Sequence, residues 1–440
     1  MIGSLSRDSS QTNPEVTIVG AGIAGLLAAY YLDKAGWTVH LIEAQSRPGG
    51  MLETTKTPLG ISEAAAHSIP ASPTVQKLFD ELGVKLLPLN RDSKARYILK
   101  NGKLRKFPLT IFQAFSAFFN AYFRLAPAKD PEELSLADWT EHFLGKPALQ
   151  YLMTPFTRGI FGAEPSEINV SAAFPMLCIP RGHSFLSYLL AKKIRRNPPR
   201  AVQRNRVVVP RGKISAPEGG MGAWIYALSS HLDKKLGSRF QRGRAIESLK
   251  EFENTKNLIL AVPAGEAVRL LKSESPDLSQ ALKQVSYSPL ITATIFAPTN
   301  AFSKGPRGLG VLMPASEPRK CLGVLFNSSS FQNRARDSET LSLTMMLGGS
   351  QHPELLKKSD DELKDIISKE LHEIFEMQGK ASEIHLKRWD HAVPKYNREL
   401  LGIWEFAEKT WCSKPGRILF GNYTGQVSLR GMVELASRLR

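Results

Sequence analysis

Cysteine is scarce in this chain: Cys178, Cys321 and Cys412 are the only three among 440 residues, and they share no ligand-like spacing. That excludes a disulfide framework and a cysteine-rich structural metal site, and it points to a reducing compartment. No stretch reads as a membrane span. Residues 1–14 are polar and lack the apolar core of a secretion signal, so they read as a loose tail. Acidic residues are also short, 41 against 58 Lys and Arg, for a net charge of +17. Between Ile168 and Pro217 there are none, while Lys192, Lys193, Arg195, Arg196, Arg200, Arg204, Arg206, Arg211 and Lys213 crowd the second half of that stretch. The stretch is either a solvated loop or an attachment to an acidic surface. An anionic small molecule or an anionic membrane fits the overall charge. Nucleic acid is not expected, because no binding module or aromatic interleaving accompanies the charge.

Apolar residues make up 42% and charged residues 22%, enough to bury the cores of two or three globular domains. Val16 to Val19 is a short apolar run that reads as a buried strand. Gly20, Gly22 and Gly25 follow in G-x-G-x-x-G spacing and open a helix through Leu32. Gly20 makes the tight turn, Gly22 admits a pyrophosphate to the backbone, and Gly25 lets helix and strand pack closely. The helix start offers N–H groups and a positive dipole end to that anion. A second strand, Thr38 to Ile42, ends in Glu43, eighteen residues past Gly25, where a carboxylate reaches ribose hydroxyls. Strand, glycines, helix, strand and acid in register predict dinucleotide binding.

Further along, a helix is expected at Ser72 to Leu82, and a hairpin over Arg96 to Arg105 about Asn101-Gly102. Residues 109–125 form an amphipathic helix with Phe112, Phe115, Phe118, Phe119 and Tyr122 on one side and polar residues on the other. Its aromatic face either packs on the protein's own core or inserts into a membrane interface. Glu218-Gly-Gly-Met-Gly222 implies a close backbone approach before the helix Ala223 to Lys235, and Leu258 to Pro263 is another buried strand before a helix at Ala264 to Leu271. Strands dominate from Pro289 to Leu347 (Leu290 to Phe296, Gly308 to Met313, Gly323 to Ser328, Leu341 to Leu347), with a helix at Asp360 to Met377 and a strand at Ile384 to Val393. A last strand, Arg417 to Phe420, leads through Gly421-Asn422 to a final helix.

The Arg47-x-Gly49-Gly50 continuation after Glu43 resembles flavoproteins of the two-dinucleotide type, which includes the amine oxidases. Within these, Pro155 to Phe161, Glu218 to Met221, Gly310 to Pro314, Leu322 to Ser328, Met346 to Gly349, Trp389 to Tyr396 and Gly421 to Gly431 resemble the FAD-dependent protoporphyrinogen oxidases. Where that family has Gly-Pro and Ala-Gly, this chain has Ala65-Ala66 and Gly162-Ala163, and residues 249–258 are short for its β-meander. The resemblance implies an α/β plus α+β architecture. A two-dinucleotide-binding (Rossmann-like) FAD domain is discontinuous over 15–90, 215–285 and 397–440, after the tail 1–14. A helical membrane-binding insertion occupies 91–214, and an antiparallel-sheet substrate domain occupies 286–396.

It also implies FAD contacts. Gly20, Ala21, Gly22, Ile23, Ala24, Gly25, Glu43 and Ala44 would meet pyrophosphate and ribose, with Arg47, Gly49 and Gly50 beside them. Met51, Ala65, Ala66, His67 and Ser68 would lie near the ring, Ile246 at the adenine, and Asn422, Val427, Ser428 and Leu429 at the flavin. Arg96 is the implied propionate partner, with Leu312 and Met346 on apolar faces of the macrocycle. No side chain is expected to act as a catalytic base and no metal is expected, since hydride leaves a methylene bridge for flavin N5. His67, His183 and His391 stand isolated in sequence. The implied reaction takes protoporphyrinogen IX to protoporphyrin IX with dioxygen. Coproporphyrinogen III, with four carboxylates, stays open as the substrate, as does an FAD-binding partner of a haem-pathway enzyme without turnover. The expected location is the cytoplasmic side of the inner membrane, as a peripheral monomer or homodimer that could meet a ferrochelatase.

Overall fold

The computed structural model describes residues 1–6, 13–194, 211–303 and 305–439. The chain divides into two compact units, one of Met1–Leu89, Val207–Ser286 and Glu399–Arg440, the other of Asn90–Arg206 and Tyr287–Arg398. Arg195, Arg196, Arg200, Arg204 and Arg206 of the basic stretch lie outside the described residues.

The first unit is built on a five-stranded parallel sheet in the order Phe240–Arg242, Thr38–Glu43, Glu15–Val19, Leu258–Leu260, Arg417–Leu419. Its strands read as apolar runs because helices cover both faces of a parallel sheet. Val16, Ile18, Val39, Leu41, Ile259 and Ile418 join one core with Leu26 and Leu27 of the helix Ile23–Lys34, Trp224 and Leu228 of the helix Met221–Leu236, and Val433 of the helix Leu429–Ala436. The residues from Leu249 form a 3-10 turn, Leu249–Phe252, directly before the strand Leu258–Leu260. The expected loose start is corrected for residues 1–6. Ile2 is buried and exchanges backbone hydrogen bonds with Leu419 (2.9 and 3.0 Å), because the edge strand offers it unpaired N–H and C=O groups.

The second unit carries a seven-stranded sheet in the order Glu383–Pro394, Tyr287–Pro298, Thr340–Gly348, Cys321–Leu325, Gly310–Leu312, Arg96–Lys100, Lys103–Arg105. All neighbours are antiparallel except Gly310–Leu312 beside Arg96–Lys100, so the sheet is mixed. The last pair is the expected hairpin, and Asn101 (φ 52°) and Gly102 (φ 68°) have the two positive φ angles of a type I′ turn. One face of the sheet buries Ile291, Ala293, Val311, Val324 and Met345 against Leu363, Ile367 and Leu371 of the helix Asp360–Phe375.

Three expectations change here. The strand placed at Gly323 to Ser328 is Cys321–Leu325, and a helical turn, Asn327–Ser330, follows it. The boundary at 214–215 falls inside the strand Lys213–Pro217, which pairs with Ile69–Ala71 and Leu86–Pro88 of the first unit. The hairpin assigned to a separate insertion instead extends the sheet of 286–396, since Gly310–Leu312 would otherwise be an open edge.

The helical part of the second unit holds the aromatic helix, Ile111–Phe123, capped by a Thr110–Gln113 capping box. Its aromatic side faces outward: Phe112 is 87% exposed, Phe115 69% and Tyr122 51%. Gln113, Ala114, Ala117, Asn120 and Ala121 form its less exposed side, and the helix lies against Leu136–Leu144 and Phe185–Ile194. Core packing is therefore not the role of those rings.

Candidate functional site

Of the expected FAD residues, Gly20 to Gly25, Glu43, Ala44, Ile246 and Asn422 stand at or after the carboxyl ends of the parallel strands, where open α/β sheets bind ligands, whereas Ala65 to Ser68 follow a strand of a separate antiparallel pair. Gly20 (φ +98°) turns the chain so tightly that a Cβ there would lie 2.6 Å from the Ala261 carbonyl oxygen. A Cβ on Gly25 would lie 1.8 Å from the Gly20 oxygen, so only glycine lets the helix start against the strand. Gly22 differs: nothing lies within 4 Å of the place its Cβ would take. That open space sits at the helix start, where the ladder begins with Leu26 donating to the Gly22 oxygen, 3.0 Å, leaving the N–H groups of residues 23–25 ahead of it. A pyrophosphate fits such a cradle.

Glu43 stands at the end of its strand with both oxygens placed. One accepts the Ala21 N–H at 2.6 Å and the other the Gln45 N–H at 2.9 Å. Gly49 bridges to Gly22 and donates to the Ala21 oxygen, 2.8 Å, which brings the second glycine pair onto the first. Arg47 turns its guanidinium onto this loop, donating to the Gly50 oxygen (2.6 Å) and to the Pro48 and Leu52 oxygens (both 3.2 Å). Its work in the structure is to hold the loop. Ile246 is buried, and its carbonyl accepts from Arg269 at 2.7 Å. Ser428 caps the helix Leu429–Ala436, accepting the Gly431 N–H at 3.1 Å, so Asn422 and Val427 lie in the loop between the last strand and that helix start. Ala65, Ala66, His67 and Ser68 follow the strand Gly60–Glu63, and Ala66 packs against the core of the unit.

The substrate candidates belong to the second unit and share one sheet face. Leu312 opposes Gly323, Gly323 opposes Met346, and Leu312 pairs in register with Ile98. Directly paired residues point to the same side, so Leu312, Met346 and Ile98 lie opposite the apolar core face. Arg96, two residues before Ile98, shares that face and is exposed. Leu312 leans into space that two glycines leave, since a Cβ on Gly159 or Gly323 would come within 2.7 or 2.9 Å of its Cδ2. The Gly162-Ala163 turn ends the helix Thr154–Phe161, with Gly162 at φ +60°. It is braced by Arg158 donating to Glu164 (Nε, 2.9 Å) and by Lys395 donating to Glu167 (2.5 Å). Burial pushes the Glu167 carboxyl up, but the bonds from Lys395 and the Glu164 N–H outweigh this and hold it below the usual range.

A family model described as flavin containing amine oxidoreductase matches residues 23–436. The chain belongs to that family. As a member of it, the protein is an FAD-dependent oxidoreductase, and FAD is the cofactor for which the Gly22 cradle and Glu43 are suited. Among curated relatives it is 27% identical to the mitochondrial protoporphyrinogen oxidase of Nicotiana tabacum, over 98% of this chain and 94% of that one. It is 28% identical to protoporphyrinogen oxidase 2 of Arabidopsis thaliana (94% and 90% covered) and 27% identical to the protoporphyrinogen oxidase of Homo sapiens (89% and 90%). Among solved structures, a candidate protoporphyrinogen oxidase from Exiguobacterium shares the fold with a TM-score of 0.74 at 19% identity, covering 97% and 98%. A putrescine oxidase does so at 0.67 and 17%, covering 97% and 98%.

Two supports of this flavoprotein's cofactor domain escape sequence reasoning. Buried Glu63 accepts from Thr54 Oγ1 (2.6 Å) and from the Met221 N–H (2.9 Å), and so caps the helix Met221–Leu236. The glycines at 219–220 are the only signal for it. A Cβ on Gly220 would lie 2.6 Å from that carboxylate, which is the close approach the Glu218-Gly-Gly stretch implies. Buried Glu434 accepts from Ser72 (2.6 Å) and Thr74 (3.0 Å), tying the final helix to the start of the helix Pro73–Glu81. Nothing in the sequence marks that pairing, which joins residues 360 and more apart.

Proposed function

We propose that this protein oxidises protoporphyrinogen IX to protoporphyrin IX with dioxygen as final acceptor. The observation that carries this reading is similarity along nearly the whole chain to proteins named protoporphyrinogen oxidase in plants and mammals. The chemistry FAD supplies when bound is two-electron acceptance at N5 from a methylene bridge, while the electron-rich pyrroles stabilise the cation left behind. This chain's own residues then need only bind and orient. Leu312 and Met346 offer apolar contact to the macrocycle, and Arg96 on the same face offers a charge-assisted hydrogen bond to a propionate. Backbone N–H groups at the helix start after Ser428 favour negative charge on the bound ring. The test is porphyrin fluorescence from purified FAD-loaded protein given protoporphyrinogen IX or coproporphyrinogen III in air. A higher kcat/KM for protoporphyrinogen supports the reading. Preference for coproporphyrinogen reassigns the substrate, and no turnover of either leaves an FAD-binding partner without activity.

The outward aromatic face supports a peripheral place on the cytoplasmic side of the inner membrane, where an apolar product could pass to a ferrochelatase. No helix among the described residues is long and apolar enough to cross a membrane. Phe112, Phe115 and Phe119 supply interfacial insertion, and the basic stretch adds attraction to anionic lipid. Liposome flotation should require anionic lipid, weaken with salt and fall in Phe112→Ser/Phe115→Ser. Protein that stays free of every lipid mixture at low salt would end this proposal.

A further inference from the structure

The edge hairpin of the second unit carries a cation for which the reaction scheme above has no use. Arg105 is paired directly with Ile98, so it lies on the sheet face that holds Arg96, Leu312 and Met346. Arg96 and Arg105 are diagonal neighbours, with Cα atoms about 7–8 Å apart in such a pair. Both are exposed, and among the described residues neither guanidinium has an ion-pair or hydrogen-bond partner. Elsewhere Arg158, Arg242, Arg244 and Arg388 each reach a carboxylate. Two unpartnered like charges on one face repel each other, and an anion between them removes that cost. Lys100, also on this face, is already engaged: it donates to the Pro108 oxygen at 2.6 Å and lies 4.1 Å from the Tyr151 ring centroid.

We propose that Arg105 is a second carboxylate-binding residue, which forms with Arg96 a clamp for two neighbouring propionates of one macrocycle. The inference rests on the porphyrinogen reading and deepens it: a substrate with two propionates flanking one bridge matches two cations on adjacent strands. It makes Arg105 a residue for binding and orientation, without a part in the electron transfer.

The test compares KM and kcat of wild type, Arg105→Ala, Arg105→Lys, Arg96→Ala and the double variant for protoporphyrinogen IX and for its dimethyl ester. Lys369→Ala, a charge deletion on the helix Asp360–Phe375, controls for overall charge. Arg105→Ala should raise KM about ten-fold, the lower end for a charge-assisted hydrogen bond, with kcat within two-fold and partial recovery in Arg105→Lys. With the dimethyl ester, wild type and Arg105→Ala should agree within two-fold, because the carboxylates are gone. An unchanged KM in Arg105→Ala, or an equal loss with acid and ester, overturns the clamp. If wild type oxidises no porphyrinogen, the enzymatic reading falls, and titration with protoporphyrin IX, followed by its fluorescence, still decides the clamp. Equal affinities of wild type and Arg105→Ala in that titration overturn it.

Discussion

Two helices of nearly equal length, Ile23–Lys34 and Ile111–Phe123, are both strongly apolar and meet opposite fates. The first is buried from Ala24 through Tyr30 and again at Leu32, whereas the second buries only Ala121. Small residues mark the packing side of both. Gly25 lets the first approach the sheet, and Ala114, Ala117 and Ala121 lie on the less exposed side of the second. The difference lies in the bulky residues. Leu26 and Leu27 are covered because the sheet lies on one side and the helices Met221–Leu236 and Leu429–Ala436 on the other. The aromatic rings have no such second layer. Apolar content alone therefore does not say how deeply a helix is buried, and the number of layers packed around it does.

The largest effect is expected in the buried helix. Gly25→Val should yield no soluble, yellow protein, because its Cβ would lie 1.8 Å from the Gly20 oxygen. Gly22→Val should fold with an unchanged circular dichroism spectrum but purify colourless, since its side chain fills only the open cradle. A Gly22→Val protein with full flavin absorbance would refute the cradle.

Leu27→Ala, a cavity in the same helix, should cost about 2–5 kcal/mol in urea unfolding. In the aromatic helix, overpacking the inward side with Ala121→Leu should cost about 1–3 kcal/mol by the same measurement. The smallest change in stability is expected where the rings are largest: Phe112→Ser/Phe115→Ser should stay within about 0.5 kcal/mol of wild type. A loss as large as that of Leu27→Ala would mean that the rings are covered by the protein itself, and the contrast between the two helices would collapse.

Much of the cofactor site was legible in the chain because it is local. The spacing of Gly20, Gly22 and Gly25 falls within one turn and helix start, and Glu43 is reached along one strand–helix–strand unit, although the Ala261 carbonyl that crowds Gly20 is distant in sequence. The hairpin at Asn101-Gly102 was legible for the same reason, since its two positive φ angles are set by the turn residues. The parallel docking of that hairpin on Gly310–Leu312 was not, because it joins residues more than 200 positions apart and leaves no periodic mark. Arg105 was hidden with it. Within its own strand it reads as a solvated edge charge, and only the register with Ile98 places it on the sheet face of Leu312 and Met346.

By itself, then, the sequence determined the strand–glycine–helix cradle, the hairpin turn at Asn101-Gly102 and which side of the helix at 111–123 carries aromatics. These follow from bond geometry, steric limits on φ and the periods of helix and strand, all of which act over a few residues. Tertiary structure alone decided that the aromatic side turns outward, that Glu63 caps a helix distant in sequence and Glu434 binds the hydroxyls of Ser72 and Thr74, and that Arg96 and Arg105 share a face with Leu312. Each of those depends on which surfaces meet once the chain closes, and burial and pairing energies between distant segments settle that choice, whatever the preference of any one segment.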